Sequence, residues 1–243
     1  MFKKFIWVSR DMLEVRGLNS FYGNAQILRD ISLSVKPASV VALLGRNGMG
    51  KTTLIRSVMG LAPPRITSGQ IIYRGGQIAG LRPNEIARRG IALVPQGRRL
   101  FASLTVREHL AMSGKRDGRW PLDRIYALFP RLLERIHHRG NQLSGGERQM
   151  LAVARALSLD PDFLLMDEPS EGLSPVAVQQ LEDAMIKLKE AKLSILLVEQ
   201  NLYSALTVAD EVYVVQTGQV VHHEGALAFA NNDAAKKQYL GVG

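Results

Sequence analysis

Short apolar runs alternate with segments of helical period along most of the chain. Ser39-Val40-Val41-Ala42-Leu43-Leu44, Ile91-Ala92-Leu93-Val94, Phe163-Leu164-Leu165-Met166 and Ser194-Ile195-Leu196-Leu197-Val198 are such runs. Apolar runs of this length, without polar alternation, predict strands buried on both faces. Helical segments lie between them. Thr53–Met59 closes on Gly60, Pro83–Arg89 is stopped by Gly90, and Met150–Leu157 is rich in strong helix formers. A further helix opens at Ser174-Pro175, with Ser174 as N-cap, and carries an apolar stripe of Leu181, Met185 and Leu188. This pattern predicts an α/β body.

Two regions break the alternation. Residues 12–44 read as antiparallel strands. Met12–Val15 and Ile31–Val35 have strand character, and Tyr22-Gly23-Asn24 reads as a turn. Residues 105–140 turn helical. Thr105 and Glu108 form a capping-box pair, and helical stretches follow at Ile125–Phe129 and Leu132–Ile136. We expect a small helical subdomain, about residues 97–158, inserted into the α/β body. Gln70–Tyr73 reads as one short strand, and Val212–Gln216 with Gln219–His223 as a hairpin around Thr217-Gly218.

Composition narrows the picture a little. A chain of 243 residues that is 46% hydrophobic is long enough for a large domain with a sizeable core. It has no cysteine, which excludes disulfide and thiol chemistry. The net charge of +9 admits nucleic acid or an anionic membrane surface as partners. No long basic run or arginine–aromatic alternation supports nucleic acid, and no apolar stretch is long enough for a membrane helix. The apolar run in residues 1–8 is too short for a signal-peptide core, so residues 1–11 read as an extension, or translation starts at Met12.

The chemistry concentrates at the ends of the buried strands. Gly45-Arg46-Asn47-Gly48-Met49-Gly50-Lys51-Thr52-Thr53 fits the pattern G-x-x-x-x-G-K-[ST], between a predicted strand and a predicted helix. Its glycines let backbone N–H groups turn inward around phosphate, and the helix N-terminus adds partial positive charge. Lys51 can reach the outer phosphates, and the Thr52 hydroxyl suits Mg²⁺. Asp167 and Glu168 end another strand, where open α/β sheets place ligand chemistry. Asp167 suits the Mg²⁺ shell, and Glu168 is placed to activate an attacking water. Gln96 follows Ile91–Pro95 and can project into a site from the end of a central strand. Leu143-Ser144-Gly145-Gly146-Glu147 opens a second helix with bare glycine amides, a second anion receptor or an ordinary serine cap. Two phosphate-type helix starts in one chain suggest a nucleotide held between two surfaces. Tyr22 reads as a base-stacking platform or a half-buried strand tyrosine. The pairs His137-His138 and His222-His223 are not at metal spacing.

With the Gly45–Thr53 loop, Gln96, Leu143–Glu147 and Asp167-Glu168 in this order, the chain from Met12 on resembles the ATPase subunits of ABC transporters. The resemblance implies a RecA-like P-loop core, an N-terminal antiparallel β subdomain and an inserted helical subdomain. It implies ATP and Mg²⁺ as cofactors, with Tyr22 stacking on adenine and Gly45, Asn47, Gly48, Gly50, Lys51, Thr52 and Thr53 around the phosphates. Thr52, Gln96 and Asp167 hold the metal. Ser144, Gly145, Gly146 and Glu147 meet the ATP of an opposite subunit, Ser144 and Gly146 at its γ-phosphate. Two positions depart from the family. Gln200 replaces a histidine that contacts the γ-phosphate, and Ser174 replaces an aspartate. Glutamine still donates a hydrogen bond but does not titrate near neutral pH. Both departures leave open how vigorously and how evenly the two halves hydrolyse.

Val198-Glu199-Gln200-Asn201, Val94-Pro95-Gln96-Gly97-Arg98-Arg99 with Phe101, and Tyr239-Leu240-Gly241 resemble one branch of the family, the ATPases of branched-chain amino-acid importers. Urea and short-chain amide importers are similar. That branch implies a second ATPase subunit, permease subunits in the membrane, a periplasmic binding protein, no nucleic acid, and a peripheral place on the cytoplasmic face of the inner membrane. Two rivals stay open: a soluble ABC ATPase not tied to transport, and a nucleotide-binding module that does not hydrolyse.

Overall fold

The computed structural model describes residues 11–112 and 118–241. The expected extension at residues 1–11 lies outside them except for Asp11. In chain order the elements are β1 (Leu13–Tyr22), β2 (Ala25–Val35), β3 (Val40–Leu44), α1 (Lys51–Val58), β4 (Arg65–Tyr73), β5 (Gly76–Gln77), α2 (Pro83–Arg88), β6 (Ile91–Val94), α3 (Val106–Ala111), α4 (Leu122–Leu128), α5 (Pro130–Glu134), α6 (Gly145–Leu157), β7 (Phe163–Asp167), α7 (Pro175–Glu190), β8 (Ser194–Glu199), α8 (Leu202–Val208), β9 (Glu211–Gln216), β10 (Gln219–Gly225) and α9 (Ala226–Ala230).

Two sheets organise them. An antiparallel sheet runs β2-β1-β4-β5, and a six-stranded sheet runs β10-β9-β3-β8-β7-β6. In the second sheet β9, β3, β8, β7 and β6 are mutually parallel, and only the β9–β10 hairpin is antiparallel. The continuous apolar runs are explained by burial on both faces. On one face Val41, Leu43, Ile91, Phe163, Leu165 and Leu196 join the core beneath the antiparallel sheet and α1. On the other, Val40, Val94, Leu164, Met166, Ile195 and Leu197 pack against α6 and α7. The same core continues into α3, α4 and α5 through Leu110, Ile125 and Leu132, so the helical insert shares its packing with the sheet.

The register sets the site. Leu44 pairs with Glu199, Asp167 with Val198, and Val94 with Met166, so the parallel strands end in one row. The Gly45 loop, Gln96, Glu168 and Gln200 all leave the sheet at that row.

Several boundaries differ from the sequence expectation. β4 starts at Arg65 rather than Gln70 because pairing with β1 holds an exposed stretch that carries no apolar alternation. β6 is an edge strand of its sheet, not a central one, so Gln96 projects from the rim. α1 begins at Lys51, two residues early, because Gly50 takes the N-cap position in the left-handed conformation (φ +103°).

The β9–β10 turn has a larger role than a hairpin tip. Gly218 N–H donates to Met49 O at 3.0 Å, and its carbonyl accepts from Arg29 N–H at 2.9 Å. The turn therefore wedges between the phosphate-type loop and the β1–β2 hairpin. Gly218 has φ +79°, and a Cβ there would sit 1.8 Å from Ile27 O. Gly218→Ala should therefore destabilise the protein by about 2 kcal/mol or more, from the left-handed backbone and the displaced carbonyl together. Denaturant midpoints of the two proteins measure this.

Candidate nucleotide site

A cleft of about 390 Å³ opens above the sheet row, between Tyr22 and Ile27 of the antiparallel sheet and Asn47, Lys51, Gln96 and Glu168. Gly48, Gly50, Thr52 and Thr53 complete its wall, and Gly45 lies beneath as the first residue after β3. Tyr22 is half-buried at the end of β1, so the strand that makes it a structural residue also presents it to the cleft.

Lys51 is buried, and its ammonium has defined partners. It donates to Gly45 O at 2.7 Å and Arg46 O at 3.1 Å, and it pairs with Glu168 Oε1 at 2.9 Å. Glu168 is equally enclosed, with 8% of its side chain exposed against 3% for Lys51. Its φ of +47° is left-handed, a conformation that costs a β-carbon-bearing residue on the order of 1 kcal/mol. Glu168 N–H donates to Val198 O at 2.9 Å, so the strand ladder fixes this backbone. Gln96 Nε2 donates to Glu168 Oε2 at 3.1 Å and to Glu171 Oε2 at 2.9 Å.

Thr52 Oγ1 donates to Asp167 Oδ1 at 3.1 Å. Burial pushes the Asp167 carboxyl up to about 6, against the opposing effect of the Thr52 hydroxyl. The Thr52 hydroxyl meets the Asp167 carboxylate, and Gln96, which lines the same cleft as Thr52, has an amide oxygen besides the Nε2 that binds Glu168 and Glu171. Oxygen donors of this kind suit a hard divalent cation such as Mg²⁺. A cation there would also relieve the carboxylate crowding that Glu168 and Glu171 add to Asp167.

A second cleft, of about 470 Å³, lies elsewhere on the chain. Its walls are Ser144, Gly145 and Gly146 at the start of α6, and Gly172, Leu173 and Ser174 in the loop before α7. The two clefts share no lining residue. Ser144 Oγ accepts from Glu147 N–H at 3.2 Å, and Glu147 Oε2 accepts from Ser144 N–H at 2.8 Å, a reciprocal cap. Glu147 also pairs with Arg135 at 3.3 Å. Serine-cap and anion-receptor readings are thus compatible: the cap fixes the first turn and leaves the Gly145 and Gly146 backbone at the cleft wall. Ser174 likewise caps α7, accepting from Ala177 N–H at 3.4 Å.

Gln200 lines a third depression with Glu168, Ser170 and Glu171, which places it near the acids but outside the first cleft. The residue holding it is Glu199, to which the sequence reading gave no role. Its buried carboxylate accepts from Ser170 N–H at 2.9 Å, Gln200 N–H at 3.1 Å and Asn201 N–H at 3.3 Å. It ties the loop after Glu168 to the loop bearing Gln200. Burial raises its pKa, and the Ser170 hydroxyl together with these three backbone donors opposes the shift. An acid ending a buried strand, as Asp167 does, was the available signal. Glu171, which accepts from Gln96, was also missed, since it does not stand at a strand end.

This fold, with the glycine-rich loop between β3 and α1, defines a P-loop nucleotide-binding cassette. The ABC transporter family pattern matches residues 28–171. The chain is 43% identical to the high-affinity branched-chain amino acid transport ATP-binding protein BraG of Pseudomonas aeruginosa, over 95% of this chain and 100% of that protein. It is 37% identical to the probable branched-chain amino acid transport ATP-binding protein LivF of Archaeoglobus fulgidus, over 95% and 99%. The ADP conformation of an ATP-binding cassette of an ABC transporter superposes with TM-score 0.81 at 23% identity, covering 95% of this chain and 97% of the other, a likeness of fold. The chain belongs to the ABC transporter family of ATP-binding subunits, whose ATPase activity is coupled to transport.

The raised Asp167 carboxyl gives a pH prediction. A carboxyl with a raised folded value favours folding fully below its unfolded value near 4, and that contribution is lost as pH rises through about 6. In chelator-treated protein, stability relative to Asp167→Asn should therefore shift in favour of the asparagine variant, by about 3 kcal/mol at most between about pH 4 and 7. Paired denaturation curves across that range measure it.

Proposed function

We propose that this chain is the ATP-hydrolysing subunit of an importer for branched-chain amino acids. The observation that carries the reading is likeness over the whole length to the Pseudomonas protein, joined to a cleft whose side chains suit ATP hydrolysis. Residues 12–243 act as one ATPase domain, with about 97–158 as its helical insert. Among the described residues no helix is long and apolar enough to cross a membrane. The chain works from the cytoplasmic face, docked on integral permease subunits and served by a periplasmic binding protein.

Tyr22 stacks on the adenine, and the amides from Asn47 to Thr53 surround the phosphates. Thr52, Gln96 and Asp167 would hold Mg²⁺, which when bound neutralises charge on the β- and γ-phosphate oxygens. Lys51 exchanges part of its pairing with Glu168 for the γ-phosphate. That exchange frees the Glu168 carboxylate, which Gln96 still orients. Glu168 accepts a proton as water oxygen attacks the γ-phosphorus, and the bond from that phosphorus to the bridging oxygen of ADP breaks, giving ADP and phosphate. Ser144, Gly145, Gly146 and Glu147 serve the nucleotide of a second ATPase subunit. Gln200 donates toward the γ-phosphate without a change of charge across neutral pH.

Glu168→Gln should keep ATP affinity and lose turnover by about 100-fold or more, the usual contribution of a positioned general base. Lys51→Ala should lose ATP binding. Fluorescent-nucleotide titration and phosphate release measure the two, and unchanged hydrolysis by Glu168→Gln would contradict the role given to that residue. For the solute, cells lacking the chain should lose uptake of labelled leucine and keep uptake of labelled urea. The reverse pattern would assign the chain to an amide importer.

A further inference from the structure

The loop after Gln96 carries an arginine whose placement the hydrolytic chemistry does not explain. Arg98 is half-buried and has φ +50°, a left-handed backbone that a Cβ disfavours. Its Nη2 donates to Glu171 O at 2.5 Å. A Cβ on Gly145 would lie 2.9 Å from Nη1, and one on Gly172 would lie 3.4 Å from Nη2. The guanidinium therefore lies beside the backbones of both glycines, closely enough at Gly145 that a side chain there would have to displace it.

Those glycines stand on opposite walls of the second cleft, Gly145 at the start of α6 and Gly172 in the loop before α7. Arg98 does not line that cleft itself, yet its guanidinium lies next to a glycine of each of these two segments. Two residues earlier, Gln96 grips the same 168–172 segment by its side chains, at Glu168 and Glu171. Residues 96 and 98 thus connect the first cleft to the width of the second. The position runs against simple electrostatics, because a cation beside the N-terminus of α6 meets the positive end of the helix dipole. A group kept there against that field needs a geometric reason.

We propose that Arg98 is a positioning residue that sets the spacing of the two walls of the second cleft and couples that spacing to Gln96 and Glu168. The inference rests on the proposal that the nucleotide of a second subunit enters the second cleft. A planar fork with two Nη groups reaches two backbones at once, which a lysine point charge does not. Filling of the second cleft by the partner's nucleotide shifts α6 or the Gly172 loop. Through Arg98 that shift reaches the loop that orients Glu168.

The test uses the full chain with any ATPase subunit that co-purifies, and the variants Arg98→Lys and Arg98→Gln. Both variants should melt as the wild type does and bind fluorescent ATP with unchanged affinity. Their kcat should fall about tenfold or more. In a Glu168→Gln background the ATP-driven association of subunits should weaken by a similar factor. A purely structural role would lower the melting temperature without this split between affinity and association, and would overturn the proposal. So would wild-type kcat in either variant, or full rescue by lysine, which would reduce the role to charge. The Glu168→Gln protein with Arg98 intact is the control: if it still hydrolyses ATP, the reading of the site fails and the proposal for Arg98 falls with it. If it is inactive while both Arg98 variants are fully active, the proposal for Arg98 fails alone.

Discussion

A buried ammonium against a buried carboxylate is the constraint on which the site depends. Lys51 and Glu168 meet at 2.9 Å, nearly out of contact with water. Leaving either one alone in that setting costs on the order of 3–5 kcal/mol, so the chain must keep both satisfied. It does so by geometry. The Gly45 and Arg46 carbonyls take up the remaining lysine donors, Gln96 takes the second carboxylate oxygen, and the strand ladder fixes the left-handed backbone of Glu168. Each of these groups stands where it does because five parallel strands end in one row.

The same requirement links the other acids. Asp167 is buried beside Glu168 and is moderated by Thr52, while Glu199 is buried at the next strand end and is moderated by three backbone donors. Three carboxylates at adjoining strand ends would repel one another if their partners were not separate. Asp167 faces the phosphate-type helix, Glu168 faces lysine and glutamine, and Glu199 holds Ser170, Gln200 and Asn201. Of the family departures, Ser174 keeps a structural role as the α7 cap, so loss of the acid there removes charge without loosening the helix. Gln200 keeps its place because Glu199 holds its backbone N–H.

What was legible in the sequence was local chemistry in a fixed order. The buried strands at Val40–Leu44, Phe163–Asp167 and Ser194–Glu199 announced themselves because both faces are covered and no polar residue interrupts them. The serine caps at 144 and 174 and the capping box at Thr105 were readable because they are short-range contacts. What could not be read was set by partners distant in sequence. β4 owes its first residues to β1, and β6 proved to be a rim strand because strand order is a tertiary property. Gly218 looked like a hairpin tip until Met49 and Arg29 were seen to use its backbone. Arg98 could not be singled out because its hydrogen bond is to main chain, which leaves no mark in residue type, whereas Glu199 carried the same signal as Asp167, an acid at the end of a buried strand.

In the proposed function each nucleotide site is half of a composite, completed by the second cleft of another ATPase subunit. The direct measurement is the solution mass of the Glu168→Gln protein, made beside any ATPase subunit encoded with it, by sedimentation with and without Mg-ATP. Mg-ATP should join the 26.8 kDa chain to a second ATPase subunit, and Lys51→Ala should abolish the effect. A mass that stays the same while ATP is demonstrably bound would contradict it.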